Sequence, residues 1–375
     1  MSSALTTNHE DPVAAAETRI DELCATFADH SIDAYVALAE SALQELGRAL
    51  ERGSMSFRNQ MPLPLRTSWP VAGELRETIF WPSQSGAPQA VMFVIPGNPG
   101  LVDFYIDFCS LLHKKFHTLE IIGVSHLGHT RFANNRGVEH RVPKTHSLEE
   151  QVANMVAVFD AIDQEYSAEN PRPKMLLLGH SVGCYFAQKI IECREDRVDR
   201  VYALFPAVAG LADSPRGRQL RLMFQPGLRQ TVALVMGFLR WLLPLRLLYH
   251  LADHSESLNA ENSRVVNSRV VVDKMLFGRT VACILHMASD EMRIIDKLNE
   301  PLYRRLGERF VMFYGVDDQW VPIERYERMK EVNTKGQVVL CEKGISHAFV
   351  TAHSTDMAKM VAKALKREFE TTGTP

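Results

Sequence analysis

Hydrophobic and polar positions in this chain change their spacing in a repeating order. Short apolar runs, the signature of strands buried on both faces, occur at Ala90–Ile95, Leu119–Val124, Met175–Leu178, Val201–Phe205, Arg309–Gly315 and Gln337–Cys341. Glu74–Trp81 alternates apolar and polar residues and predicts a further strand. Between these runs the spacing is helical. Ser147–Tyr166 aligns Val152, Met155, Val156, Phe159 and Ile162 on one face, with Ser147 as N-cap and Glu150 at the capping-box position. Cys184–Ile191 and Asp356–Phe369 also carry helical spacing. Strands alternating with helices predict an α/β fold with a mostly parallel central sheet covered by helices on both faces.

The alternation stops after Pro206. From Ala207 to about Glu300 the spacing is helical throughout, which predicts a cap or lid inserted between two parts of one core. Upstream, Met1–Asp11 is polar and reads as a disordered tail. Pro12–Arg52 reads as a helical arm packed on the main domain. The expected organisation is a tail and arm over residues 1–60, core over 61–206, cap over 207–300 and core again over 301–375.

Composition adds exclusions. The chain has 375 residues, 46% of them hydrophobic, enough for a large core, and a net charge of -3, which gives no ground for a nucleic-acid partner. Cys24, Cys109, Cys184, Cys193, Cys283 and Cys341 lack C-x-x-C spacing and predict reduced thiols. His126, His129, His140 and His146 lie close in sequence without ligand spacing, so no metal is expected. Neither a P-loop nor a dinucleotide fingerprint is present, and no cofactor is expected. The N-terminal residues lack the apolar core of a signal peptide, and the default expectation is a cytoplasmic protein.

Candidate chemistry centres on Gly179-His180-Ser181-Val182-Gly183. The pattern G-x-S-x-G between a buried strand and a helix forms a strained turn that exposes a nucleophilic serine, here Ser181. A serine hydroxyl needs a base and an orienting acid, which in such folds follow on loops after later strands. His347 lies after Gln337–Cys341, and Asp317 and Asp318 both lie after Arg309–Gly315. Spacing leaves the two aspartates undecided. An oxyanion hole needs two backbone N–H groups: that of Val182, following the nucleophile, and one from the turn Pro96-Gly97-Asn98-Pro99-Gly100. Pro99 has no N–H, which points to Asn98.

Together, the turn Pro96–Gly100 followed by Asp103-Phe104-Tyr105, the Ser181 motif, Tyr314-Gly315 with Asp318-Gln319-Trp320-Val321-Pro322, and Cys341–Val350 around His347 resemble the lipid droplet-associated hydrolases. That family lies within the α/β-hydrolase superfamily, and the resemblance spans about Ala90 to Leu365. It implies the α/β-hydrolase fold, with Ser181 as nucleophile and His347 as base. The family acid precedes x-W-x-P and falls on Asp318. The resemblance further implies hydrolysis of a lipid ester, sterol ester or acylglycerol, by a protein on lipid droplets and on the cytoplasmic side of the endoplasmic reticulum.

The cap contains the most apolar stretch of the chain, Thr231–Tyr249, interrupted by Arg240, Pro244 and Arg246. Those interruptions make it a poor bilayer span, whereas Arg beside Trp and Leu suits a peripheral lipid interface. Phe238, Trp241 and Leu245 are the candidate lipid-contacting residues. The competing reading of this stretch is an ordinary lid helix buried on the core. For the whole chain, the rivals to a lipid esterase are a non-catalytic organiser of stored lipid and an esterase for small soluble esters.

Overall fold

Val91, Phe93 and Ile95 pack on one side of the central sheet, and Ala90, Met92 and Val94 on the other. Met175 and Leu177 divide from Leu176 and Leu178 in the same way. Strand residues alternate in direction, so an unbroken apolar run is what a strand covered on both faces requires.

The computed structural model describes residues 64–130, 144–254, 264–341 and 344–370. The tail and helical arm expected over residues 1–60, and with them Cys24, lie outside the described residues, as does His140. The strands are β1 (Leu65–Val71), β2 (Glu74–Trp81), β3 (Ala90–Ile95), β4 (Leu119–Val124), β5 (Lys174–His180), β6 (Arg200–Leu204), β7 (Phe310–Gly315) and β8 (Gln337–Cys341). They form one sheet in the order β1-β2-β4-β3-β5-β6-β7-β8. β2 pairs antiparallel with β1 and β4, and every other pairing is parallel.

Helices α1 (Ile106–Lys115), α2 (Leu148–Glu165) and α3 (Val182–Cys193) connect the first strands. Phe159 of α2 and Phe186 of α3 belong to the core cluster of one face, Phe108 of α1 to that of the other. The N-terminus of α2 carries the predicted capping box: Ser147 Oγ accepts from the Glu150 N–H and Glu150 Oε2 from the Ser147 N–H. Between β6 and β7 come α4 (Pro215–Leu220), α5 (Pro226–Leu242), α6 (Leu245–Asp253), α7 (Arg264–Val270), a π-helical turn (Val271–Met275), α8 (Gly278–Ile294) and α9 (Glu300–Leu306), with no strand among the described residues. The chain closes with α10 (Ile323–Val332), α11 (Phe349–Ala352) and α12 (Ser354–Phe369), where Met357, Val361 and Leu365 cover the sheet beside Phe108.

The sequence reading omits β1, because that edge strand is largely exposed and contains Pro70, and so lacks a clear apolar alternation. It also extends β6 by one residue. The strand ends at Leu204, and Phe205 turns to φ +50°. The helix of the cap breaks at Leu243-Pro244, as proline demands, and α5 and α6 meet at 117°. Among the described residues no single helix is long and apolar enough to cross a membrane.

Candidate active site

The parallel strands β3, β5, β7 and β8 end at the same edge of the sheet, and each delivers one part of the site. β5 runs into Ser181, which has φ +53° and ψ -122° and caps α3. That left-handed conformation is strained for a residue with a side chain, and it projects the hydroxyl out of the turn. The turn closes only because Gly183 is glycine: a Cβ there would lie 2.1 Å from the carbonyl oxygen of Ile95. The Ser181 N–H donates to Leu204 O at 2.9 Å, fixing the turn to β6.

The structure brings three of the predicted residues into one line. Ser181 Oγ is 2.9 Å from His347 Nε2, and His347 Nδ1 is 2.7 Å from Asp318 Oδ2. The second carboxylate oxygen, Asp318 Oδ1, accepts the N–H groups of Trp320 at 2.8 Å and Val321 at 3.0 Å. Burial acts to raise the Asp318 carboxyl, but His347 and these hydrogen bonds outweigh it and hold it below the ordinary value of 3.8. An ionised Asp318 fixes the proton on Nδ1 of His347, leaving Nε2 free to accept from Ser181. Asp317, the undecided alternative in the sequence, is exposed.

The turn after β3 lies directly against Ser181. A Cβ on Gly97 would stand 2.9 Å from that of Ser181. The Gly97 N–H donates to Tyr105 Oη at 2.8 Å and the Gly100 N–H to Gly97 O at 2.7 Å. With prolines at 96 and 99, the N–H of Asn98 is the one this turn leaves over. Val182 opens α3, where a helix provides no carbonyl for the amide. These are the two N–H groups the sequence nominates.

Several supporting residues carry no role in the sequence reading. His180, the variable residue of the G-x-S-x-G motif, donates from Nε2 to His347 O at 2.8 Å. Burial drives its imidazole down to about 3, so it stays neutral. Its other nitrogen, Nδ1, is 2.6 Å from Tyr105 Oη. His126 Nε2 donates to Pro96 O and His129 Nδ1 to Pro99 O, each at 2.8 Å, so these two histidines brace the turn from the loop after β4. Among the described residues, no group of His, Cys, Asp and Glu is arranged to hold a metal ion, and Cys109, Cys184, Cys193, Cys283 and Cys341 are free thiols. Single histidines and tyrosines give no sequence signal of their own, although Tyr105 lies in one of the segments that carry the family resemblance.

Beside His347 a cavity of about 590 Å³ opens between core and cap. Asn98, Trp320 and His347 line its floor, while Met236, Leu239 and Leu248 line its cap side. The opposite face of the same helices is exposed. Phe238 has 56% of its surface accessible, Trp241 79% and Leu245 46%. Within α5 only Ala233 is buried, so the reading of a lid helix buried on the core does not describe this element.

A sequence model of the family described as lipid-droplet associated hydrolase matches residues 88–350. The lipid droplet-associated hydrolase of Homo sapiens is 28% identical over 294 residues, covering 74% of this chain and 85% of that protein. That of Dictyostelium discoideum is 25% identical over 312 residues, covering 79% and 93%. Among solved structures, a thermophilic esterase from Thermogutta terrifontis superposes with a TM-score of 0.53 at 15% identity, covering 82% of this chain and 99% of its own. An epoxide hydrolase from Vigna radiata gives 0.54 at 11%, covering 81% and 98%. The structural likenesses establish an α/β-hydrolase fold, and with the match over residues 88–350 the chain belongs to the lipid droplet-associated hydrolase family.

Proposed function

We propose that the chain is a serine ester hydrolase that cleaves a lipid ester, a sterol ester or an acylglycerol, at the surface of a lipid droplet or of the endoplasmic reticulum on its cytoplasmic side. The observation that carries this reading is the continuous link from Ser181 Oγ through His347 to Asp318, at 2.9 and 2.7 Å, with His347 lining an apolar cavity. The names of the relatives support the lipid droplet, and the exposed apolar face of α5 and α6 supports contact with a lipid surface. The helical block, taken as residues 207–300, serves as the lid.

In this mechanism His347 Nε2 accepts the Ser181 proton as Oγ attacks the ester carbonyl carbon. The carbonyl oxygen becomes an oxyanion held by the N–H groups of Asn98 and Val182. The tetrahedral intermediate collapses, the alcohol leaves with the proton from His347, and the acyl group remains on Ser181. Water, deprotonated by His347, then releases the carboxylic acid and restores the hydroxyl. Asp318 stabilises the imidazolium at both stages. The acyl chain occupies the cavity between Leu239 and Leu248, where apolar walls exclude water.

The test is labelling of the purified chain by a fluorophosphonate, comparing wild type with Ser181→Ala, followed by a panel of sterol esters, acylglycerols and short soluble esters. Labelling and hydrolysis are both expected to vanish in Ser181→Ala. A protein that organises lipid without turnover would show neither in wild type. Turnover confined to short esters would replace the lipid substrate by a soluble one.

A further inference from the structure

Asn98 is tied to the cap as well as to the core. Its side-chain nitrogen Nδ2 donates to Ile284 O at 3.0 Å and to Glu291 Oε1 at 2.9 Å, both on α8. These two bonds use both amide hydrogens and fix which way the amide faces, since its oxygen could not oppose the Ile284 carbonyl. The remaining atom, Asn98 Oδ1, is buried with no hydrogen-bond partner. Glu291 is itself buried, at 5% exposure.

We infer that Glu291 is a positioning residue of this site: as the partner of Asn98, it holds the turn Pro96–Gly100 in register with Ser181. The inference rests on the serine-hydrolase reading above. A neutral carboxyl presents a carbonyl acceptor and an O–H donor along one edge, and a primary amide presents the complementary pair. Glu291 accepts from Asn98 Nδ2 through Oε1, and as an acid it also carries an O–H, the kind of group that the unpartnered Asn98 Oδ1 requires. Burial pushes the Glu291 carboxyl up to about 8, against the lowering pull of the Asn98 hydrogen bond and with Asp290 adding to the rise. The acid form thus prevails at pH 7. An anion would have no donor to offer Asn98 Oδ1 and would bring negative charge toward a developing oxyanion. The side chain of Asn98 does no chemistry in this arrangement. It is the handle by which a cap helix sets the backbone N–H beside it.

The experiment uses the full chain with a short soluble ester and a fluorophosphonate. Removing the carboxyl in Glu291→Leu is expected to lower kcat and the labelling rate by about 10- to 100-fold, the range that a small misplacement of a reacting group costs, with KM nearly unchanged. Glu291→Gln repeats the donor and acceptor and is expected to restore most of the lost kcat. Because the two side chains act as one unit, Glu291→Leu combined with Asn98→Ala should be no slower than the slower single variant. Wild-type kcat in Glu291→Leu, equal impairment in Leu and Gln variants, or additive losses would each overturn the inference. Should Glu291→Leu fail to fold, Asn98→Ala alone decides: it keeps the backbone N–H but loses the handle, and a wild-type kcat refutes the pairing. Hydrolysis surviving in Ser181→Ala is a separate outcome that sinks the serine mechanism rather than the pairing.

Discussion

Tyr105 donates its hydroxyl proton to Nδ1 of His180 across 2.6 Å, and neighbouring groups fix that direction. His347 O can only accept, so His180 Nε2, 2.8 Å away, carries the imidazole proton. Nδ1 is then the acceptor, and Tyr105 Oη also receives the Gly97 N–H at 2.8 Å. One directed chain therefore joins the turn after β3 to the backbone of the histidine opposite Ser181. Burial raises the Tyr105 hydroxyl far above its ordinary value, so it remains a donor throughout the working pH range. Tyr105→Phe keeps the ring and deletes the oxygen, leaving two buried groups unsatisfied at about 1–3 kcal/mol each. We expect a lower melting temperature and a fall in kcat with KM nearly unchanged. A variant with wild-type melting and kcat would show that the chain is dispensable.

The two adjacent aspartates separate by environment. Asp318 is buried against His347, whereas Asp317 is exposed. Asp318→Asn is expected to reduce kcat by roughly 10⁴, as loss of the orienting acid does in other triads. Asp317→Asn should stay within about threefold of wild type, as surface substitutions away from a site do. Steady-state rates on a soluble ester decide it, and the opposite ranking would move the orienting acid to Asp317.

Acid stability follows from buried imidazoles. Burial holds His180 near 3 and His129 near 4, and keeps His126 well below its ordinary value of 6.5. Their folded values are depressed, so the unfolded chain takes up protons that the folded one refuses as pH drops below about 6.5. Each such group removes up to about 1.4 kcal/mol of stability per pH unit. Glu291 has the opposite sign: raised from 4.5 to about 8, it favours folding at low pH and loses that contribution as pH rises toward 8. Between pH 6.5 and 4.5 the three histidines outnumber it, so stability should fall on acidification. Above 6.5 Glu291 acts alone, and Glu291→Gln should raise the melting temperature more at pH 8 than at pH 5. Melting curves across pH 4.5–8 test both signs, and a melting temperature that climbs as pH falls from 6.5 to 4.5 contradicts the histidine account.

Much of this arrangement was legible in the chain because its physics is local. Ala90–Ile95 and Lys174–His180 read as buried strands since both their faces are covered, and Ser147 with Glu150 announced a helix start by their own hydrogen bonds. Ser181, His347 and the pair Asp317 and Asp318 can be nominated because each follows a strand whose end must lie at one edge of the sheet, and only the family resemblance singles out Asp318. Glu291 could not be. Its meaning depends on α8 crossing over the turn at Asn98, a contact 193 residues apart in sequence, and nothing in the local spacing of α8 distinguishes that carboxyl from a surface one. His126 and His129 were legible only as a cluster. Their use as donors to Pro96 and Pro99 depends on β4 lying beside β3. Leu65–Val71 is not legible because an exposed edge strand needs no apolar pattern.

The cap carries the last prediction. α5 and α6 meet at 117° around Leu243-Pro244, with Met236, Leu239 and Leu248 turned to the cavity and Phe238, Trp241 and Leu245 to the outside. The outer residues make no core, so charging them should cost the fold little. Moving each large apolar side chain from water into lipid is worth roughly 1.5–3 kcal/mol, which for three residues amounts to several powers of ten in partitioning. Phe238→Glu, Trp241→Glu and Leu245→Glu together should therefore release the protein from lipid droplets, read by flotation. Ser181, His347, Asp318 and the residues hydrogen-bonded to them are unaltered, so hydrolysis of a short soluble ester by the same variant should persist. Undiminished flotation would move the anchor to another part of the chain. Loss of both flotation and soluble-ester activity, with a collapsed melting transition, would mean that these side chains stabilise the cap rather than meet lipid.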